Sequence, residues 1–290
     1  MRQSLVATER IPTQPHPELP QVLDRFVAGT QNVLGDNFVG AYLVGSLATG
    51  DFDNDSDVDF VVILDHDLDE GEVGGPEALH REIQNLGGYP ARHLEGSYIS
   101  QPLLSRIDLV GVQPVWYVDN GATTLTRSTH DNQWHVRWIL RERGIVLAGP
   151  DPKLLIGPVK KEALRTEMRT SIQELGTHFM AELDKPLGWF NSRFGQSFTV
   201  LTCCRMLHTF HTGEIQSKLA AVRWAEQSVS PEWDELIRQS WAERKGAGLG
   251  EKVDQLAEPF LLHETARFVA FVESELWSHV VAQSIASGLH

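Results

Sequence analysis

Hydrophobic positions change their spacing several times along this chain. Leu19, Val22, Leu23, Phe26 and Val27 recur three and four apart, which predicts a helix running to about Leu34 and ended by Gly35-Asp36-Asn37. The next apolar stretch, FVGAYLV (38–44), is short and continuous, so it reads as a buried strand. Gly45-Ser46 stands at its end, followed by a turn rich in Gly, Asp and Asn (49–56). DVDFVVIL (57–64) reads as a second buried strand. An acidic, Gly-rich loop (65–79) opens into a helix near 76–86. RHLEGSYIS (92–100) alternates as a third strand, and IDLVGVQPVWYV (107–118) as one or two more, interrupted by Pro114. HDNQWHVRWILRERG (130–144) reads as a helix closed by Gly144, with His130 and His135 flanking Trp134.

Past AGPDPKLLIGP (148–158), with its three prolines, the pattern turns wholly helical, over 159–184, 196–212, 217–227, 231–245 and 258–286. The expected fold is therefore α/β (α+β): a mixed first domain over 1–157, then an α-helical domain over 158–290. Residues 1–16, polar and Pro-containing, read as a loosely held arm.

The chemistry is carried by Gly45-Ser46, ten further residues, then Asp57-Val58-Asp59. Alternation along a strand turns Asp57 and Asp59 to the same side, ~7 Å apart, with Val58 toward the core. Two like charges so placed repel unless a cation lies between them. Mg²⁺ suits the gap, because it takes oxygen ligands and is commonly held by one or two carboxylates plus substrate phosphates. Gly45 allows a tight turn and close approach to a phosphate. Ser46 opens a short helical turn whose N–H groups favour an anion, and the hydroxyls of Ser46 and Ser56 supply further donors. The expectation is phosphoryl-type chemistry on a nucleoside triphosphate, with a metal pair beside it.

Charge narrows the partners. With 39 acidic against 25 basic residues the formal net charge is -14. Nucleic-acid binding depends on Lys and Arg neutralising phosphates, so no nucleic acid is expected, and a cationic small partner fits better. The only cysteines, Cys203 and Cys204, are adjacent, which excludes a disulfide framework and fits a reducing compartment. There is no apolar run long enough for a membrane span and no signal peptide. A cytoplasmic monomer is the expectation.

The segment YLVGSLATGDFDNDSDVDFVVIL (42–64) resembles the signature of the DNA polymerase β-type nucleotidyltransferases. More narrowly, it is similar to the aminoglycoside (streptomycin/spectinomycin) adenylyltransferases. GIVLAGPDPKLLIGPV (144–159) resembles that family's link between domains, and LTCCRMLHTFHTGEIQSKLAAVRWA (201–225) its helical segment with a Thr-Gly turn and following Lys. The resemblance implies a nucleotidyltransferase domain with a mixed sheet, then a helical bundle, with ATP, Mg²⁺ and acceptor meeting in the cleft between them. It also implies that Asp57 and Asp59 hold Mg²⁺ and that Gly45, Ser46 and Ser56 bind the phosphates. Glu95 would be both the catalytic carboxylate and a member of the metal set, and Arg205 and Lys218 would neutralise pyrophosphate. Asp108, also on an expected strand, is the rival base.

The acidic residues that the family shows before its helical segment are absent from GWFNSRFGQSFTV (188–200). Trp116 and Asp119 match poorly as an acceptor wall, and Trp116 reads as core. His208 and His211 read as helix-surface or domain-contact residues, and Trp224, Trp233, Trp241 and Trp277 as filling of the helical core, or one of them as a cleft residue. The leading expectation is transfer of AMP from ATP to a hydroxyl of a cationic small molecule, an aminoglycoside or aminocyclitol. The alternatives are a different small-molecule or protein hydroxyl, or a nucleotide-binding regulator.

Overall fold

The computed structural model describes residues 15–183, 185, 188–244 and 254–287, with side chains to residue 278. Most of the arm expected over 1–16 lies outside these residues. Two compact units divide the chain, Met1–Val159 and Lys160–His290.

In the first unit the order is α1 (Leu19–Leu34), β1 (Phe38–Leu43), α2 (Gly45–Thr49), β2 (Val58–Leu64), α3 (Gly74–Gln84), α4 (Tyr89–Arg92), β3 (Leu94–Ser100), α5 (Gln101–Leu104), β4 (Val115–Val118), β5 (Thr126–Ser128), α6 (Trp134–Arg143) and β6 (Ile145–Ala148). The six strands form one sheet in the order β5-β4-β3-β2-β1-β6. Only β2 and β3 run parallel, so the sheet is mixed. That parallel pair needs a crossover, and α3 and α4 lie within it. Alternation then sorts the side chains. Phe60, Val62 and Leu64 of β2, Leu94 and Tyr98 of β3, and Trp116 and Val118 of β4 share one core with Leu19, Val22, Leu23 and Phe26 of α1 and Leu79 and Ile83 of α3.

Several expectations in this unit are corrected. The run 107–118 pairs only over Val115–Val118, while Ile107–Leu109 is a 3₁₀ turn. Gly111, at φ +73°, and Pro114 break the apolar run before the ladder begins. Strands β5 and β6, of three and four residues, carried no period long enough to detect. Asp57 lies just outside β2, which starts at Val58.

The second unit is helical: α7 (Lys161–Glu182), α8 (Arg193–Thr212), α9 (Lys218–Ser228), α10 (Asp234–Arg244) and α11 (Pro259–Ser287). Ser192 and Ser217 cap α8 and α9 by accepting from the N–H groups of Gly195 and Ala220. Gly213, at φ +71°, ends α8. Helix α8 is central: Leu201, Cys203, Cys204 and Leu207 all enter the core. The buried Gln196 amide donates to Thr265 Oγ1 at 2.8 Å, tying α8 to α11. Both cysteines are free and buried, and burial raises both thiols.

Trp233 is core as expected, but Trp277 is 42% exposed. The surface reading holds for His211, which is exposed and stands 3.8 Å from the Glu275 carboxylate, but is corrected for His208, which is buried with Nδ1 3.2 Å from the Glu214 carbonyl. No helix among the described residues is long and apolar enough to cross a membrane.

Candidate active site

Strand β1 ends where β2 begins, and this fixes the phosphate-type turn. The Val44 N–H donates to the Asp59 carbonyl at 3.0 Å, which brings the chain round beside Asp59. Gly45 then takes φ +54°, and a Cβ there would lie 1.8 Å from Asp59 Oδ2. No other residue type fits, for reasons of both backbone and space. Ser46 follows inside α2, and its hydroxyl is buried with no hydrogen-bond partner among the described residues. An unmatched buried hydroxyl costs roughly 1–3 kcal/mol, which a bound acceptor oxygen would recover.

Asp59 pairs in register with Glu95 across the parallel β2–β3 ladder, so the two carboxylates stand on one face as neighbours. That face continues through Ser97 to Tyr117, its partner on β4. The Tyr117 hydroxyl donates to Glu95 Oε1 at 2.5 Å, with Asp119 Oδ1 3.2 Å from the same hydroxyl. The buried Ser97 hydroxyl donates to Asp131 Oδ2 at 2.7 Å, and His130 Nδ1 donates to Asp131 Oδ1 at 2.9 Å. The His130 ring lies 5.1 Å from that of Tyr117. Outside the strand, Asp57 Oδ1 accepts from Asn120 Nδ2 at 2.7 Å and stands 3.8 Å from His93 Nδ1.

The electrostatics follow from crowding. Burial pushes the Glu95 carboxyl above its ordinary value; the Tyr117 hydrogen bond opposes that, and the Asp57 charge adds to it. Burial, then its bond to Glu95, raises the Tyr117 hydroxyl well above the usual phenol range, so it remains a donor. His130 is pushed up to about 9, first by its hydrogen bond to Asp131 and then, against desolvation, by the charges of Asp131, Glu95 and Asp59. Water on its 60% exposed side chain moderates those fields. The arrangement can hold a cation, seat a phosphate on the Gly45-Ser46 turn, and offer a carboxylate of raised basicity beside both.

Not every expected residue takes its expected part. Gly45, Ser46, Asp59 and Glu95 are brought together by strand pairing, with Asp57 just before β2. Ser56 instead closes the turn before Asp57, where its hydroxyl donates to Asp53 Oδ1 at 2.6 Å and accepts from the Asp53 N–H at 3.0 Å. Asp108 is not on a strand. It is 59% exposed on its side chain and held by Arg106, which pulls its carboxyl down to about 2. Arg205 and Lys218 belong to the second unit, half-buried on α8 and at the first position of α9.

Trp116 is core, its Nε1 donating to the Leu68 carbonyl at 2.9 Å. His130 precedes α6 rather than lying on it. The site also holds Tyr117, Asn120, His93, Ser97, His130 and Asp131, which sequence reading did not assign to it. The only sequence signal was the phase of Tyr117 in VWYV, which is meaningless until β4 is registered against β3.

Comparison with known proteins places these observations. Residues 34–109 match the nucleotidyltransferase domain model, and residues 154–270 the aminoglycoside adenylyltransferase C-terminal domain model. A spectinomycin 9-adenylyltransferase of Campylobacter jejuni is 23% identical over 250 residues, spanning 82% of this chain and 88% of that protein. One of Staphylococcus aureus is 25% identical over 217 residues, spanning 67% and 73%. Among solved structures, the spectinomycin adenyltransferase AAD(9) from Enterococcus faecialis with ATP and spectinomycin shares the fold. Its TM-score is 0.62 at 17% identity, over 87% of this chain and 99% of that one. Matches to a nucleotidyltransferase domain and then to that C-terminal domain, with these relatives, support an aminoglycoside adenylyltransferase-like nucleotidyltransferase.

Proposed function

We propose that this protein transfers AMP from ATP to a hydroxyl of an aminocyclitol or aminoglycoside antibiotic of the spectinomycin or streptomycin type, releasing pyrophosphate. The observation that carries the reading is the Gly45-Ser46 turn packed against Asp59, which is itself in register with Glu95. The named acceptors of the curated relatives support the antibiotic class.

The residues fit Mg²⁺. Their donors are carboxylate oxygens, and the space that a Cβ on Gly45 would fill lies against Asp59. Among the described residues no three His, Cys, Asp or Glu side chains form a ready-made metal cage. Asp57 and Asp59, with Glu95 beside Asp59, would hold an ion whose shell is completed by substrate phosphates, the usual arrangement for Mg²⁺. When bound, the ion supplies neutralisation of charge on the phosphates.

The protein's own residues do the rest. The Gly45-Ser46 turn orients the triphosphate, with the Ser46 hydroxyl donating to a phosphate oxygen. Glu95 accepts the proton of the acceptor hydroxyl as that oxygen bonds to the α-phosphorus, and the bond to the β-phosphate bridging oxygen breaks. Burial suits Glu95 to this role by raising its basicity.

The test is pyrophosphate release from ATP and Mg²⁺ with spectinomycin or streptomycin, wild type beside Asp57→Asn and Glu95→Gln. The expected result is antibiotic-dependent release, reduced about 10²–10⁴-fold by Glu95→Gln. A folded wild type that releases no pyrophosphate with either antibiotic would overturn the assignment.

A further inference from the structure

Asp57 and Glu95 come from different elements, yet side chains of one short segment hold both. At the end of β4, the Tyr117 hydroxyl donates to Glu95 Oε1 at 2.5 Å. Three residues later, Asn120 Nδ2 donates to Asp57 Oδ1 at 2.7 Å. The segment is tied internally as well. Asp119 Oδ1 accepts from the Asn120 N–H at 2.9 Å and lies 3.2 Å from the Tyr117 hydroxyl. On its other side, Asn120 Oδ1 accepts from His93 Nδ1 at 2.8 Å, and the His93 ring stacks on Tyr89 at 3.9 Å.

Each end of Asn120 is thus used in the only sense its chemistry allows, carbonyl toward the imidazole N–H and amide N–H₂ toward the carboxylate. An aspartate here would offer no donor to Asp57. Tyr117 is anchored by the sheet, paired with Ser97 two residues from Glu95. A carboxylate on a free side chain samples several rotamers, whereas one directed hydrogen bond to a rigid strand fixes its plane. Transfer chemistry is sensitive to errors of an ångström or less in such groups.

The geometry points to residues 117–120 as a bracket that sets the spacing of the two carboxylates: Asn120 is a positioning residue for Asp57, and Tyr117 for Glu95. This rests on the nucleotidyl-transfer reading above. The two halves have separable consequences, because Asp57 serves the metal–nucleotide complex and Glu95 the acceptor proton.

The experiment compares wild type, Tyr117→Phe and Asn120→Ala in two measurements. One is kcat and KM for ATP in spectinomycin-dependent pyrophosphate release. The other is calorimetric affinity for the α,β-methylene analogue of ATP with and without Mg²⁺, which needs no turnover. Tyr117→Phe is expected to lower kcat about 10- to 100-fold while KM and the Mg²⁺-dependent gain in affinity stay at wild-type values. Asn120→Ala is expected to cut that gain about tenfold or more, and Asn120→Asp to do the same.

Variants that leave both measurements unchanged, or that shift both by the same factor as a general loosening would, overturn the bracket. A wild type inactive with the antibiotic but gaining affinity with Mg²⁺ would sink the reaction reading alone. In that case, Asn120→Ala keeping the full gain still overturns the bracket, and losing it supports the bracket.

Discussion

The two faces of the central sheet are built from alternate residues of the same strands and are used in opposite ways. On one face, Phe60 is fully buried, with its ring 4.6 Å from that of Phe26, 5.6 Å from His80 and 5.9 Å from Tyr98. Its neighbour in sequence, Asp59, and the register partner of Asp59, Glu95, stand on the other face, where Glu95 accepts from the Tyr117 hydroxyl. The first face also contains polar atoms, but they are paired and inert: His80 Nε2 and the Tyr98 hydroxyl meet at 3.0 Å. On the second face the Ser46 hydroxyl is buried with no hydrogen-bond partner among the described residues, and Glu95 is raised in basicity. A satisfied buried polar group serves stability, whereas the unmatched Ser46 hydroxyl, beside the carboxylates, has a hydrogen bond to offer a ligand.

The contrast breaks if damage to one face shows up as loss on the other. The largest effect is expected from Phe60→Ala, which empties the inert face and should cost about 3–5 kcal/mol in urea unfolding. Mg²⁺-dependent nucleotide affinity of the folded fraction should change little. A large loss of affinity at full folding would show that the faces are coupled.

The next effect is one of pH. Burial lowers the His80 pKa from 6.5 to about 4, so the unfolded chain takes up its proton first as the pH falls. The stability that His80 contributes is complete above about pH 6.5 and is lost toward pH 4, up to about 3 kcal/mol. Between pH 7 and pH 5 the urea midpoint should fall more steeply for wild type than for His80→Gln. Equal slopes would show that His80 does not carry the pH dependence.

Gly45→Ala sharpens the other side. Its Cβ would strike Asp59 Oδ2, and φ +54° adds roughly 1–2 kcal/mol of backbone strain. Pyrophosphate release should drop about 100-fold or more, because the displaced group is the carboxylate itself. The smallest effect is expected at Asp108, exposed and paired with Arg106. Asp108→Asn should change turnover less than about twofold, as surface positions do. A large loss there would return Asp108 to consideration as the base.

How far the site was legible depended on how local each signal was. Gly45-Ser46 and Asp57-Val58-Asp59 lie within one strand–turn–strand segment, so their spacing already implied phosphate and metal chemistry. Glu95 needed one more step, that its strand joins the sheet. Tyr117 and Asn120 needed the register of β4 against β3 and the course of the next turn, which no local pattern encodes. Asp108 misled for the same reason: its apolar neighbours resemble a strand, but Gly111 and Pro114 keep that stretch out of the ladder.

By itself, the sequence determined the order of the longer elements, the change from mixed to helical composition near residue 158, and the residue types of the phosphate-type turn. Periodicity, glycine and proline act over a few residues, and these features are equally short in range. Only the tertiary structure decided that Asp59 faces Glu95, that Ser56 closes a turn, and that residues 117–120 hold Asp57 and Glu95. Those are matters of strand register, in which a slip of one residue sends every side chain to the opposite face.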